Sequence, residues 1–250
     1  RIPLANSGLG LYGFLGLFAM HYGRNESGLE NSAVPALAWL KDRAEGNPTN
    51  LSAWKPEIDR WAFGVGAILG TVGTSVLLNL KGVLLLELPG PRILLLMKAR
   101  MLQTMPALGD KNAEGNLLAV IDVDAAKGSL TIGLVADYTI DPLIKLRLPV
   151  EAFFNLGDSK DWHLYLGRYD DPVHASLFGV IEGSGYLMLS GNGIPAHGNL
   201  PAVQGFSIGT GLYASFTWGS VPARLYARIA GGFDAVVGFE PFRLSILDVE

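Results

Sequence analysis

Three observations predict an all-β fold. Apolar residues recur with period two, these runs are separated by Gly, Pro and Asp turns, and the uncharged stretches are broken by glycine. The expected architecture is an antiparallel meander of about ten long amphipathic strands, barrel-like or sandwich, with one short helical insertion.

The first run, "GLYGFLGLFAMHYG", belongs to an uncharged stretch from Ala5 to Gly23. Gly8, Gly10, Gly13 and Gly16 punctuate it, and each glycine costs a helix about 1 kcal/mol relative to alanine. A strand is the better reading. Residues 25–60 are polar and form an insertion, with a short helix expected at "AVPALAWLKDRA". Next comes "WAFGVGAILGTVGTSVLLNL", Trp61 to Leu80, which has the length of a membrane-crossing helix. Gly64, Gly66, Gly70 and Gly73 oppose a helix, whereas Trp61, Phe63, Val65, Ala67 and Leu69 share one strand parity. Two strands joined by a turn at "VGTS" are therefore expected.

The following runs are clearer. "TSVLLNLKGVLLLEL" sets Val76, Leu78, Leu80, Leu84, Leu86 and Leu88 against Ser75, Asn79, Lys81 and Glu87. After the turn "LPGPR", Ile93, Leu95, Met97, Ala99 and Met101 alternate with Arg92, Leu94, Leu96, Lys98 and Arg100. "NLLAVIDVD" enters a hairpin loop at "AAKG". Leu130, Ile132, Leu134, Ala136, Tyr138 and Ile140 then form one parity, and Asp141-Pro142 marks a turn. Beyond it Ile144, Leu146, Leu148, Val150, Ala152 and Phe154 oppose Leu143, Lys145, Arg147, Pro149, Glu151 and Phe153. Toward the C-terminus Phe206, Ile208, Leu212, Phe216 and Trp218 share a face, and Leu225, Ala227 and Ile229 continue the pattern. The Gly/Pro loop 191–205 reads as a plain connection across one end of the sheet.

Composition narrows the function classes. Charged residues make up 17% of the 250 residues, hydrophobic ones 49%, and mean hydropathy is +0.31. Soluble domains usually carry about 25% charged residues. The 19 basic residues are scattered and net charge is −4, so no nucleic-acid partner is expected. Without cysteine there is no disulfide, thiolate nucleophile or cysteine metal site. The chain starts at Arg1 and stops within the strand-like "LSILDVE". It reads as a single β-rich domain, 1–250, taken from a longer polypeptide.

Motifs that carry chemistry fail on context. "GLGLYG" matches a dinucleotide string, but no alternating strand-helix pattern surrounds it. "GFSIG" matches a nucleophile elbow, which needs a histidine downstream. His21, His163, His174 and His197 all precede Ser207. "DVDAAKG" lacks the terminal calcium-loop Glu, so Asp122 and Asp124 are read as solvated carboxylates. Arg168, Asp170, Asp171 and His174 in "LGRYDDPVH" are read as a salt-bridged turn before a strand. The expectation is a non-catalytic protein with no cofactor and no metal.

The stretch "WHLYLGRYDDPVHASLFGVIEGSGYLMLSGNG", Trp162 to Gly193, pairs a "W-x-x-Y-x-G" strand with a "G-Y-L-M-x-x-G" strand. It resembles a segment of very large, β-rich microbial proteins of unknown function. The resemblance implies a long multi-sheet protein with no assigned activity.

An apolar parity on so many strands must leave water, at roughly 25 cal/mol per Å² buried. The first expectation is a structural or assembly module whose apolar face packs against the parent chain or other subunits. The alternative is a groove or barrel for lipid or another hydrophobic ligand, lined by Leu130, Ile132, Leu134, Ile144, Leu146, Leu148, Val150, Phe154, Phe206, Ile208 and Leu212. A second alternative is a transmembrane β-barrel segment, supported by long strands and by aromatic residues near strand ends. Against that stand Val83, Leu85, Leu94, Leu96, Leu143 and Phe153, which place apolar side chains on the nominally polar parity.

Overall fold

A computed structural model of the chain describes residues 2–4, 7–30, 32–72, 78–101, 117–140, 143–220, 225–239 and 242–247. In chain order the strands are β1 (Ile2–Pro3), β2 (Leu9–Arg24), β3 (Trp54–Thr71), β4 (Leu78–Leu88), β5 (Arg92–Met101), β6 (Leu117–Asp124), β7 (Ser129–Ile140), β8 (Ile144–Asn155), β9 (Trp162–Leu166), β10 (Val173–Leu177), β11 (Ile181–Ser190), β12 (Ser207–Ser220), β13 (Leu225–Phe239) and β14 (Phe242–Leu247). They form one antiparallel, 14-stranded sheet in which neighbours in sequence are neighbours in space, apart from β9 and β10. The all-β meander is thus as expected, with more strands than the pattern resolves. The additional ones are short: β1, β9 and β10 hold two to five residues, too few alternations to register as period two. The expected turns at Asp141-Pro142 and, beyond Val72, at "VGTS" fall outside the described residues. The chain divides into two compact units, Arg1–Leu134 and Val135–Glu250.

In the first unit the register assigns each parity to a face. Phe18, Phe63, Leu86, Ile93 and Val123 stand opposite one another across β2 to β6. The adjacent row is Leu17, Gly64, Leu85, Leu94 and Asp122. That second row is covered. A helix, α1 (Pro35–Ala38), continues as a π-helical turn over Trp39–Arg43. Its start is favoured by Pro35, which lacks an N–H that would be unpaired there anyway. Ala36, Trp39 and Leu40 pack against Ala62, Val83, Leu85, Leu94, Leu96 and Val120, and the Trp39 indole N–H donates to the Ala53 carbonyl at 2.7 Å. The insertion ends at Ala53 rather than residue 60, because Trp54 and Lys55 already pair with Arg24 and Gly23. The polar sequence of early β3 hid that pairing.

Glycines show which side of the sheet is crowded. A Cβ on Gly66, on the covered face, would fall 2.6 Å from the Gly82 carbonyl oxygen and 3.1 Å from Leu15 Cδ1. A Cβ on Gly133 would fall 2.8 Å from Val34 of the insertion. On the opposite face, Gly16 and Gly82 have open space around them. The strands and the insertion crowd together on one side and leave the other unfilled.

In the second unit β9 and β10 both pair with β8 and β11. They occupy one ladder position, interrupted by an excursion of residues 167–172. Gly167 starts it at φ +70°, where a Cβ would lie 2.7 Å from the Val173 nitrogen, so glycine is required. The 191–205 loop is more than a plain connection. It folds on itself through Ile194–Val203 and His197–Leu200 bridges. Its Ile194, Leu200 and Val203 then pack with Tyr165, Met188 and Val236.

Replacing Trp39 or Leu85 by alanine is expected to cost about 2–5 kcal/mol in chemical denaturation, because each leaves a cavity between insertion and sheet. Val65→Ala, on the opposite face at 66% exposed, is expected to cost a small fraction of that.

Candidate functional site

Two surfaces of opposite character share the sheet. The open face carries the apolar parity. Phe14, Val65, Ile229 and Trp218 are 65–76% exposed, and Phe18, Met20, Leu84, Ile93, Leu212 and Phe216 are exposed beside them. The eleven residues expected to line a hydrophobic site all have this parity, and none is buried. Leu130, Ile132 and Leu134 belong to the first unit; the other eight belong to the second. Within β8, Ile144, Leu146 and Val150 stand opposite Leu177, Ala175 and Leu166. Ile208 and Leu212 stand between the β11 and β13 residues Leu189, Gly185, Val237 and Phe233.

Aromatic side chains cluster on this face, near strand ends in the second unit and partway along β2 and β3 in the first. In the second unit Phe154, Trp162, Phe206, Phe239 and Phe242 form a continuous row, with ring centroids 5.1–6.5 Å apart. Phe216 and Trp218 lie at the other end of β12. In the first unit Phe18, Trp61 and Phe63 cluster at 5.2–6.5 Å.

The covered face holds charge that the alternation pattern alone does not place. Arg24 is buried and binds Glu87 through two hydrogen bonds of 2.7 and 3.1 Å. It also pairs with Glu26 at 2.6 Å and lies 5.5 Å from the Trp39 ring centroid. Arg92 binds both oxygens of Asp122 at 2.8 and 2.5 Å. These pairs tie β2, β4, β5 and β6 together beside the insertion. Asp122 and Asp124, expected to be solvated, are buried, because the parity that looks polar in sequence is the one the insertion shelters.

The second unit also carries ion pairs on this parity, but the Arg147, Asp137 and Asp171 side chains are 37–51% exposed. Arg147 binds Asp171 at 2.9 Å and Asp137 at 3.1 Å. Glu151 pairs with His163 at 2.8 Å and Arg168 at 3.4 Å, and Arg168 also reaches Asp170 at 3.4 Å. The "LGRYDDPVH" acids and Arg168 are therefore ion-paired within or beside the excursion between β9 and β10, while His174 stands opposite Arg147 in the ladder. The signal that locates these pairs is a charged residue alternating with apolar ones in adjacent hairpins. Its partner becomes visible only once register is known.

Among the described residues no group of three or more His, Asp or Glu side chains is arranged to hold a metal ion. No helix among them is long and apolar enough to cross a membrane. No family model, curated protein or solved structure matches the chain.

Glu87→Ala leaves the buried Arg24 guanidinium without its two-pronged partner. The expected loss is about 3–5 kcal/mol of folding stability, read by denaturant titration. Glu57→Ala, which breaks the exposed Glu57–Arg60 pair, is expected to change stability by less than about 1 kcal/mol.

Proposed function

We propose that this chain is the lipid-facing wall of a transmembrane β-barrel, its apolar parity against acyl chains and its polar parity turned inward. The observation that carries the reading is the division between faces. Large apolar side chains stand exposed on one parity, while the other holds buried ion pairs, crowded glycines and a helical insertion. Membrane barrels alternate outward apolar residues with a polar or plugged interior, and aromatic girdles flank the apolar band.

Dimensions agree with this reading. Phe206, just before β12, and Phe216 near its far end are ten residues apart on the apolar parity, a span of roughly 33 Å along a strand. A strand tilt of about 40° reduces that to roughly 25 Å, the height of the apolar band in such barrels. Of the six residues that opposed the idea in sequence, Val83, Leu85, Leu94 and Leu96 are buried beneath the insertion, whereas Leu143, 43% exposed, and Phe153 lie outside that cluster. The four buried ones serve a plug and do not make a second apolar surface. In hydrocarbon every strand edge must be paired, so the proposal requires the two sheet edges to meet each other or further strands.

Packing of the same face against other protein chains would also remove it from water. The aromatic row at the strand ends of the second unit and the charged, plugged face favour lipid over that arrangement.

The test uses single-tryptophan variants in bilayers containing dibrominated phosphatidylcholine. Trp61 and Trp218, on the open face, are expected to be quenched strongly, and Trp39, buried under the insertion, is expected to keep its emission. A chain that remains monodisperse in detergent-free buffer, with or without carried lipid, would contradict a membrane-spanning wall. Val65→Arg is expected to cost about 2–4 kcal/mol if the residue sits near the bilayer midplane, measured as unfolding from lipid.

A further inference from the structure

A cavity of about 170 Å³ lies within the second unit, bounded by Tyr169, Tyr186, Tyr213, His197, Ser184 and Asp234 among others. It is smaller than the roughly 300–1,000 Å³ of sites for drug-sized ligands. Its walls are built rather than incidental. The Tyr186 ring takes the space that a side chain at Gly211 would fill, and a Cβ on Gly232 would fall 2.5 Å from Tyr213 Cδ2. Two glycines on the covered parity of β12 and β13 thus admit two phenol rings. The excursion between β9 and β10 supplies a third, Tyr169, which stacks on His197 of the folded 191–205 loop at 4.6 Å and meets Tyr186 edge-on at 4.8 Å. Both the 167–172 excursion and the 191–205 loop contribute to the cavity.

The polar groups are few and specific. Tyr186 donates its hydroxyl to Asp234 Oδ1 at 2.7 Å. Among the described residues Asp234 forms no ion pair with Lys or Arg, in contrast to the acids Asp137, Glu151 and Asp171 of the same face. No Lys or Arg lines the cavity. The Tyr169 hydroxyl oxygen is buried and has no hydrogen-bond partner among the described residues. A sheltered carboxylate without a basic partner, set among aromatic rings, is the chemistry that selects an organic cation. The carboxylate supplies charge, and phenol rings attract ammonium groups through their quadrupoles.

We propose that this cavity binds a small organic ammonium ion of the choline type, with Asp234 as the counter-charge and Tyr169, Tyr186 and Tyr213 as the aromatic walls. The ligand is either a free solute or the headgroup of a phospholipid, since both present the same quaternary ammonium. The site does not depend on the membrane reading. It stands if the chain proves to be water-soluble.

The experiment is isothermal titration of the folded full chain with choline and with its neutral isostere 3,3-dimethyl-1-butanol. The protein is kept in buffer, or in the uncharged detergent that holds it monodisperse. Choline is expected to saturate one site at least tenfold more tightly than the isostere. Asp234→Asn, which retains an acceptor for Tyr186, is expected to weaken choline at least tenfold and leave the isostere unchanged. Repeating the titration with phosphatidylcholine present identifies the source. A tenfold loss of apparent choline affinity assigns the site to the headgroup, and an unchanged affinity assigns it to a free solute. Equal binding of choline and isostere overturns the proposal, as does no saturable binding at millimolar choline by protein with native circular dichroism. The two-ligand comparison needs no variant, so misfolding of Asp234→Asn does not protect the idea.

Discussion

The seating of the 34–53 insertion on the polar parity of the first unit is the contact on which the remaining features depend. Trp39 and Leu40 reach Leu85, Leu94 and Val120 only from that side, and their burial excludes water from the Arg24–Glu87 and Arg92–Asp122 pairs beside them. Desolvating those charges is costly, and it is offset only because each guanidinium meets a carboxylate through two hydrogen bonds. Once this face is filled, no element among the described residues of the unit is left to cover the apolar parity. Exposure of Phe14, Phe18 and Val65 follows from where the insertion went.

The second unit reaches the same division by different means. Among its described residues there is no helix; a loop folded back through two bridges and a break in one ladder position cover parts of the polar parity instead. Glycine does comparable work in both halves. Gly66 makes room for the neighbouring strands and Gly133 for the insertion, while Gly211 and Gly232 make room for tyrosine rings. A chain with 32 glycines could be read as loosely specified, yet these four lie where a Cβ would collide. They are part of how the covered face is packed.

Most of the strand framework was legible in the sequence because period two is a local property. Ile144 and Lys145 must point to opposite sides wherever the strand lies. Which side is covered is not local, since alternation sets the phase of a strand without saying which phase meets a partner. Leu85 and Leu94 therefore looked like stray apolar residues on a polar face, when they are the floor under Trp39. Asp122 looked solvated for the same reason. The β9–β10 break is legible as the turn at "LGRYDDPVH", but that both flanking strands share one ladder position is not, because it rests on the pairing of both with β8 and β11. The cavity around Asp234 was invisible because its walls come from β11, β12, β13 and two irregular segments, which no short window contains.

The central claim is that the apolar parity faces hydrocarbon while its neighbours face a protein-filled interior. The chain has no cysteine, so single cysteines can be introduced one at a time along residues 61–69 of β3 and labelled with a nitroxide in lipid bilayers. The account predicts that oxygen accessibility alternates with period two. It should be high at 61, 63, 65, 67 and 69 and low at the even positions, with all sites poorly accessible to a polar nickel reagent. High nickel accessibility at 63, 65 and 67, or the same accessibility at odd and even positions, would contradict it.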